Sequence, residues 1–158
     1  MKFNTKLLHG KAGRNTLDGA TLPGISQVSA FYYDSAEHLE KVFGNKAPGF
    51  AYTRIGNPTV AAFEQRINEV EGGTGAIACA SGMAAITVAL LNVLSAGDEI
   101  IAGSGLFGGT IDLFKDLEAF GITTHFIPHI TVEDIKPVLN QNIKAVFGEI
   151  IGNPGLDV

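Results

Sequence analysis

The sequence has no tryptophan, one cysteine and few basic residues, and the last two shortages each exclude a class of protein. A single cysteine, Cys79, cannot form an internal disulfide. Because it lies in an apolar run, we expect it to be a small buried residue in a reducing compartment. Lys and Arg number 11 against 16 Asp and Glu, which gives a net charge of −5. This balance argues against a nucleic acid or an anionic membrane as a partner.

Two further absences concern membranes and metals. No hydrophobic run is long enough to span a bilayer, and the first residues lack the apolar core of a signal peptide, so a cytoplasmic protein is expected. The histidines lack the spacing of a metal site and are predicted to be structural or exposed; they are His9, His38, His125 and His129. Hydrophobic residues, in contrast, make up 46% of the chain, which is typical of a globular protein.

The N-terminal part of the chain differs in pattern from the rest. Residues 1 to about 33 show no sustained helical period, so they are either disordered or an arm that packs on a neighbouring subunit. Six apolar residues favour the arm, namely Leu22, Ile25, Val28, Phe31, Tyr32 and Tyr33. A short helix is predicted over 35–43, and a longer one begins at Pro58 behind the cap Asn57 and ends at Gly72. Residues 1–50 are therefore assigned to the arm with its short helix, and residues 51–158 to an α/β domain.

From residue 75 onward, apolar runs alternate with helical segments. Strands are predicted over 75–79, 99–102, 122–127 and 143–150, and helices over 83–94, 110–120 and a short stretch after Thr131. Strands that are nearly continuous apolar runs and that alternate with helices are typical of a mostly parallel sheet flanked by helices. The predicted fold class is α/β, with ligands expected at the carboxyl ends of the strands.

The turn at Ser81 and Gly82 joins the first predicted strand to the helix that follows. A helix that begins at such a turn presents unpaired backbone N–H groups and the positive end of its dipole, which suits a phosphate. The alternative is a tight strand-to-helix turn that binds nothing.

Residues Gly103 to Gly108 match the G-x-G-x-x-G pattern of dinucleotide-binding proteins. The pattern therefore indicates a dinucleotide as an alternative ligand. That pattern requires a carboxylate near the end of the next strand, where this sequence has Ile127, Pro128 and His129. The pattern normally follows the first strand of a sheet, whereas here it follows the second predicted one. A dinucleotide is therefore disfavoured.

Other residues suited to a phosphate or a flat ring occur at matching places. Arg54 can bind a phosphate through two N–H groups, and the hydroxyl of Tyr52 adds a donor. Phe107 lies on a glycine-rich loop after the second predicted strand and can stack on a ring. Glu149 and Asn153 lie at or just beyond the carboxyl end of the last strand, on the ligand side.

Four stretches in this order carry a family resemblance: residues 52–59 (YTRIGNPT), 80–85 (ASGMAA), 107–110 (FGGT) and 149–155 (EIIGNPG). Together they resemble the pyridoxal 5'-phosphate (PLP) enzymes of cysteine and methionine metabolism, the trans-sulfuration enzymes, and among these most the O-acetylhomoserine sulfhydrylases. The resemblance covers essentially the whole chain. It implies PLP as cofactor and a fold-type I aminotransferase-like enzyme, of which this chain would be the N-terminal, truncated portion.

The resemblance implies phosphate-binding roles for five residues. The backbone N–H groups of Gly82 and Met83 would bind the cofactor phosphate, and Ser81 would shape the turn. Tyr52 and Arg54 would reach from this subunit into the neighbouring site and bind the phosphate there.

The same resemblance places three residues around the cofactor ring. Phe107 would stack on the pyridine ring, with Glu149 and Asn153 near it and Asn153 close to its phenolic oxygen. The family usually has tyrosine where this chain has Phe107, so stacking is kept and a hydroxyl suited to proton transfer is lost. The lysine that binds the cofactor aldehyde is expected downstream in a Ser-x-x-Lys context, so no catalytic residue is assigned in this chain.

The implied reaction is γ-replacement, in which sulfide or a thiol replaces the acetate of the amino-acid substrate O-acetylhomoserine to give homocysteine. The implied assembly is a homotetramer built as a dimer of dimers. Cystathionine γ-synthase, cystathionine γ-lyase and methionine γ-lyase chemistry are alternatives within the family. A catalytically inactive, truncated assembly partner is the alternative from another class.

Overall fold

The structure is a computed structural model that describes residues 2–10 and 19–156. Its elements in chain order are α1 (Phe3–His9), α2 (Ala36–Phe43), α3 (Pro58–Glu71), α4 (Gly82–Leu91), β1 (Glu99–Gly103), α5 (Gly108–Glu118), β2 (Thr123–Ile127), α6 (Val132–Ile135) and β3 (Ile143–Phe147). The chain forms two compact units, Met1–Ala78 and Cys79–Val158. Within the described ranges, no helix has the length and apolar character needed to cross a membrane.

Helix α3 in the first unit begins and ends where the sequence predicts. Asn57 caps it by accepting a hydrogen bond from Thr59 N at 2.8 Å, and Pro58 follows in the first turn. Gly72 ends it with a φ of 68°, a left-handed conformation that glycine adopts without strain. Helix α2 is likewise capped by the side chain of Ser35, as predicted.

Helix α1 lies in the part of the chain where the sequence shows no sustained helical period. A helix of seven residues is marginal in isolation, and this one is stabilised by α3. The guanidinium of Arg66 donates to the carbonyl oxygens of Lys6 at 2.8 Å and Leu7 at 2.9 Å, near the carboxyl end of α1. This contact depends on residues about 60 positions apart, so local periodicity does not reveal it. Residues 11–18 of the predicted arm lie outside the described residues.

The second unit contains a parallel sheet with the strand order β2-β1-β3, which confirms the predicted α/β class. The central strand β1 is buried, and its Ala102 is paired with Phe126 of β2 and Phe147 of β3. The ring of Phe114 in α5 packs against both phenylalanines, with centroid distances of 6.3 Å to Phe126 and 5.3 Å to Phe147. Helix α5 therefore covers this face of the sheet.

The segment 75–79 corrects one prediction, because it forms no strand in the structure. Ile77 is 84% exposed and Cys79 is also exposed, so the expectation of a buried strand with a buried cysteine is wrong. The N–H of Ala78 donates to the carboxylate of Glu64 at 2.8 Å rather than to a neighbouring strand. An apolar run shows that a segment suits a sheet, but the strand forms only where a partner presents free backbone groups.

A polar cluster lies at the amino end of the sheet, opposite the end where ligands are expected. The carboxylate of Glu99, at the start of β1, accepts from Asn140 Nδ2 at 2.8 Å and from Asn142 Nδ2 at 3.2 Å, and His125 Nε2 lies 2.6 Å from it. The bonds to Asn140, His125 and Asn142 favour the charged carboxylate and lower the pKa of Glu99 to about 2. The cluster connects β1 to β2 and to the turn before β3.

Replacing Glu99 with glutamine should lower the free energy of unfolding at neutral pH. The carboxyl titrates near its ordinary value of 4.5 in the unfolded chain and at about 2 in the folded chain. The stabilising contribution is therefore fully present above pH 4.5 and decreases as the pH falls towards 2. Urea unfolding, followed by circular dichroism from neutral pH to about pH 3, should show a difference between wild type and variant that shrinks with acid. Asn140→Ala should remove part of this pH dependence, whereas a difference independent of pH contradicts the assignment.

Candidate cofactor-binding site

Helix α4 begins at the turn that the sequence predicts to bind a phosphate. The hydroxyl of Ser81 accepts from Ala84 N at 3.1 Å, and its carbonyl accepts from Ala85 N at 3.0 Å. The N–H groups of Gly82 and Met83 come before these and have no intrahelical acceptor. Ser81 and Gly82 are exposed, and a Cβ on Gly82 would meet no atom within 4 Å. Since neither N–H group donates within the helix, both are available to bind an anion.

The first turn of α5 lies beside the first turn of α4. Thr110, which is fully buried, places its hydroxyl oxygen 4.0 Å from Met83 Sδ. In the sequence, Thr110 is the last residue of the FGGT motif and the first of a predicted helix. Its burial identifies it as the contact between the two helix starts, and no local sequence signal would have shown this.

Phe107 immediately precedes α5 as its N-cap residue. The residue is 49% exposed, so part of its ring surface is accessible to a ligand. A Cβ on Gly109 would lie 2.6 Å from Phe107 Cε1, so the ring lies close against the backbone of the first turn of α5. Glycine at position 109 leaves room for this ring position.

Glu149 and Asn153 follow β3, and both are hydrogen-bonded to the loop between β1 and α5. Glu149 Oε1 accepts from Phe107 N at 3.1 Å, and Asn153 N donates to Gly105 O at 3.3 Å. Gly105 also approaches Gly152, because a Cβ at position 105 would lie 3.7 Å from the Cα of Gly152. We call residues 103–107 and 148–153 the paired loops.

Tyr52 and Arg54 lie on an exposed turn of the first unit. Tyr52 forms an antiparallel bridge with Ala30, and Thr53 N donates to Ser29 O at 2.8 Å. The guanidinium of Arg54 lies 5.2 Å from the centroid of the Tyr52 ring, in a cation–π contact. The structure thus brings Tyr52 and Arg54 together in the first unit, while the other predicted residues lie at the two helix starts and the paired loops of the second.

The glycine pattern at 103–108 follows a strand and opens a helix, as predicted. Ser104 ties this loop to the end of β2, because its N donates to Ile127 O at 2.9 Å and its hydroxyl donates to Pro128 O at 3.0 Å. The end of β2 therefore lies beside the loop and carries no carboxylate at 127–129. In the part of the chain that the structure describes, no three His, Cys, Asp or Glu side chains form a group that could hold a metal ion.

The sequence pattern of the Cys/Met metabolism PLP-dependent enzymes matches residues 4–158. The chain belongs to this family. It is 40% identical over 158 residues to the O-acetyl-L-homoserine sulfhydrylase of Corynebacterium glutamicum and 37% identical over 157 residues to the homocysteine synthase of Schizosaccharomyces pombe. Each match covers 99% of this chain but only 36% and 37% of the respective relative. An L-methionine gamma-lyase of Fusobacterium nucleatum is 35% identical over 157 residues, which are 99% of this chain and 40% of that relative.

Solved structures show the same fold. A Campylobacter jejuni crystal structure that contains N'-pyridoxyl-lysine-5'-monophosphate superposes with a TM-score of 0.89 at 32% identity. The match covers 100% of this chain and 39% of that one. The predicted family, the fold type and the dependence of the family on PLP are therefore confirmed. The relatives are PLP-dependent lyases and transferases of sulfur amino-acid metabolism, and this describes the reaction class of the family.

Proposed function

We propose that the chain forms the phosphate- and ring-binding portion of a PLP enzyme that replaces the acetate of O-acetylhomoserine with sulfide or a thiol. The observation that carries the proposal is the start of α4, where the N–H groups of Gly82 and Met83 have no intrahelical acceptor. Met83 also lies beside Thr110, in the first turn of the helix that follows Phe107. PLP needs a site for its phosphate and a surface for its ring, and the start of α4 and the ring of Phe107 are suited to these two parts. Bound PLP would supply the electron sink for the reaction.

The residues of the second unit fit this cofactor in charge and shape. Gly82 and Met83 would donate to the phosphate at the positive end of the α4 dipole. The accessible ring of Phe107 would stack on the pyridine ring, with Asn153 close by. Because Phe107 has no hydroxyl, any proton transfer that tyrosine would perform at this position has to be carried by another group.

The proposed enzyme is a cytoplasmic homo-oligomer, a dimer of dimers, in which Tyr52 and Arg54 complete the phosphate site of a neighbouring subunit. Exposed apolar side chains in the predicted arm support packing on another subunit. They are Leu22 at 63%, Ile25 at 78%, Val28 at 48% and Tyr32 at 86% exposure.

A methionine γ-lyase reaction is the second candidate, because a relative of that name is nearly as similar to the chain. The assembled enzyme should be assayed with O-acetylhomoserine plus sulfide and, separately, with methionine. Homocysteine formation in the first assay supports the proposal. Thiol release from methionine without homocysteine formation supports the second candidate instead.

Gly82→Pro should weaken the binding of pyridoxine 5'-phosphate about tenfold, because it removes one charge-assisted hydrogen bond. Proline is well tolerated at the first position of a helix, and Ser81 already has the extended conformation (φ −159°, ψ 166°) that a following proline requires. Pyridoxine phosphate is the suitable probe because it has no aldehyde to react with surface lysines. Isothermal titration calorimetry measures the affinity.

Gly82→Ala is the matched control, because it keeps the N–H group and its added Cβ meets no atom within 4 Å. This variant should bind pyridoxine phosphate as the wild type does. Pyridoxine without the phosphate should bind weakly and equally to all three proteins. Equal affinity of Gly82→Pro and Gly82→Ala for the phosphate ester would exclude this turn as the phosphate site.

A further inference from the structure

We infer that Glu149 is a positioning residue, which holds the loop that carries Phe107 and thereby orients the ring against which a cofactor stacks. In this role its carboxylate acts through the backbone of Phe107 and need not contact the cofactor. The inference rests on the proposed function for the identity of the stacked ligand, and on the geometry of the paired loops for everything else.

The contact between Glu149 and Phe107 joins residues 42 positions apart. Glu149 is half-buried just beyond β3, and its Oε1 accepts from Phe107 N at 3.1 Å. The bond is exposed to solvent, and the N–H group of an N-cap residue is a suitable donor to a carboxylate. The bond also brings a negative charge to the amino end of α5, where the helix dipole favours it.

The arrangement resembles a capping box formed across two segments. In a capping box, a glutamate three positions into the helix accepts from the N–H of the N-cap residue. The N-cap residue here is Phe107, and the third helical position is Thr110, which is buried against Met83. Thr110 cannot reach back as a glutamate would, and Glu149 supplies the missing carboxylate from the loop after β3.

The Phe107 ring is limited on its other side by the helix backbone. An added Cβ on Gly109 would lie 2.6 Å, 3.2 Å and 3.4 Å from three atoms of the ring. The N–H of Phe107 is therefore bonded to Glu149, and its ring lies against the backbone at Gly109. Loss of the carboxylate should release the backbone at Phe107 and allow the ring to leave this position.

The paired loops are also joined at a point that does not involve Glu149. Asn153 N donates to Gly105 O at 3.3 Å, and Gly105 packs close to Gly152. These backbone contacts should keep the two loops adjacent in a Glu149 variant. The effect of such a variant should therefore be local to Phe107 rather than a general loss of structure.

The first test is hydrogen exchange of the Phe107 amide, measured by NMR. Glu149→Ala should accelerate its exchange about tenfold, because the amide loses a charged acceptor. Glu149→Gln keeps an acceptor oxygen at nearly the same place and should restore most of the protection. Glu118→Ala, at an exposed position at the far end of α5, is the control and should leave the Phe107 amide unchanged. Unchanged exchange in both Glu149 variants would overturn the inference.

The second test separates the positioning role from the identity of the ligand. The chain contains no tryptophan, so Phe107→Trp introduces a single indole whose fluorescence reports on this ring position. In this background, Glu149→Ala should lower the fluorescence anisotropy of the indole and weaken binding of pyridoxine phosphate about threefold or more, with Glu149→Gln intermediate. Lower anisotropy without pyridoxine phosphate binding to any variant would support the positioning role and contradict the proposed function. Binding with unchanged anisotropy and unchanged affinity would contradict the positioning role alone.

Discussion

Asn57→Ala should lower the free energy of unfolding of the first unit by about 2–4 kcal/mol. Asn57 is only 4% exposed, and its side chain joins three segments. It accepts from Thr59 N at 2.8 Å and donates to Ser26 O and to Thr53 Oγ1, both at 3.0 Å. Alanine removes the cap of α3 and leaves the part-buried Ser26 O and Thr59 N without this partner. The three tyrosines, Tyr32, Tyr33 and Tyr52, all lie in this unit, so their fluorescence in a urea titration measures its unfolding.

Asn57→Ser separates the loss of the α3 cap from the loss of the two hydrogen bonds that the Asn57 side chain donates. Serine is also a good N-cap, so the variant should regain about 1 kcal/mol relative to alanine while still lacking both donated bonds. Asn92→Ala, an exposed position after α4 in the second unit, should not change the tyrosine-detected transition. A loss below about 0.5 kcal/mol for Asn57→Ala would show that these hydrogen bonds contribute little.

Arg54→Ala should reduce the affinity of the assembled enzyme for PLP at least about tenfold, because a guanidinium–phosphate contact is a strong charge-assisted interaction. The turn that carries Arg54 is held in place by Asn57, by the bridge between Ala30 and Tyr52, and by the cation–π contact with the Tyr52 ring. The side chain is therefore presented from an ordered surface. Equilibrium dialysis against PLP measures the loss, and Arg66→Ala is an unsuitable control because Arg66 holds α1.

Mixed oligomers of Arg54→Ala and Gly82→Pro test whether the contact crosses between subunits. If Arg54 serves the neighbouring site, each hybrid dimer contains one site with both defects and one intact site. Random pairing of equal amounts should then restore about a quarter of the wild-type PLP binding, although each variant alone binds weakly. No recovery on mixing would show that Arg54 and Gly82 act in the same subunit.

The parts of the fold that sequence analysis predicted correctly depend on local signals. Asn57, Pro58 and Gly72 set the limits of α3 through their own conformations and through hydrogen bonds to near neighbours. Ser81 acts in the same way at the start of α4. These signals are readable because the partners lie within a few residues of each other.

The parts that sequence analysis missed depend on distant partners. Helix α1 forms against Arg66, and the pKa of Glu99 is lowered by Asn140, His125 and Asn142, which follow it in the chain by 26 residues or more. The apolar run at 75–79 has the composition of a strand but no strand partner among residues 2–10 and 19–156. Periodicity describes which segments suit a helix or a sheet, and it contains no information on which distant groups will meet them.

By itself, the sequence determined the helix caps and the prediction of a phosphate-binding turn at Ser81, because each depends on residues close together in the chain. It also determined the family and the α/β class, because these depend on the order of motifs and of apolar and helical segments along the chain. Only the tertiary structure decided that Thr110 joins the starts of α4 and α5 and that Glu149 bonds to the backbone of Phe107. The physical reason is that a buried hydroxyl requires a polar partner, and that a carboxylate is favoured beside a free N–H group at the start of a helix. Which partner each side chain finds is settled when distant segments pack, and local sequence does not specify it.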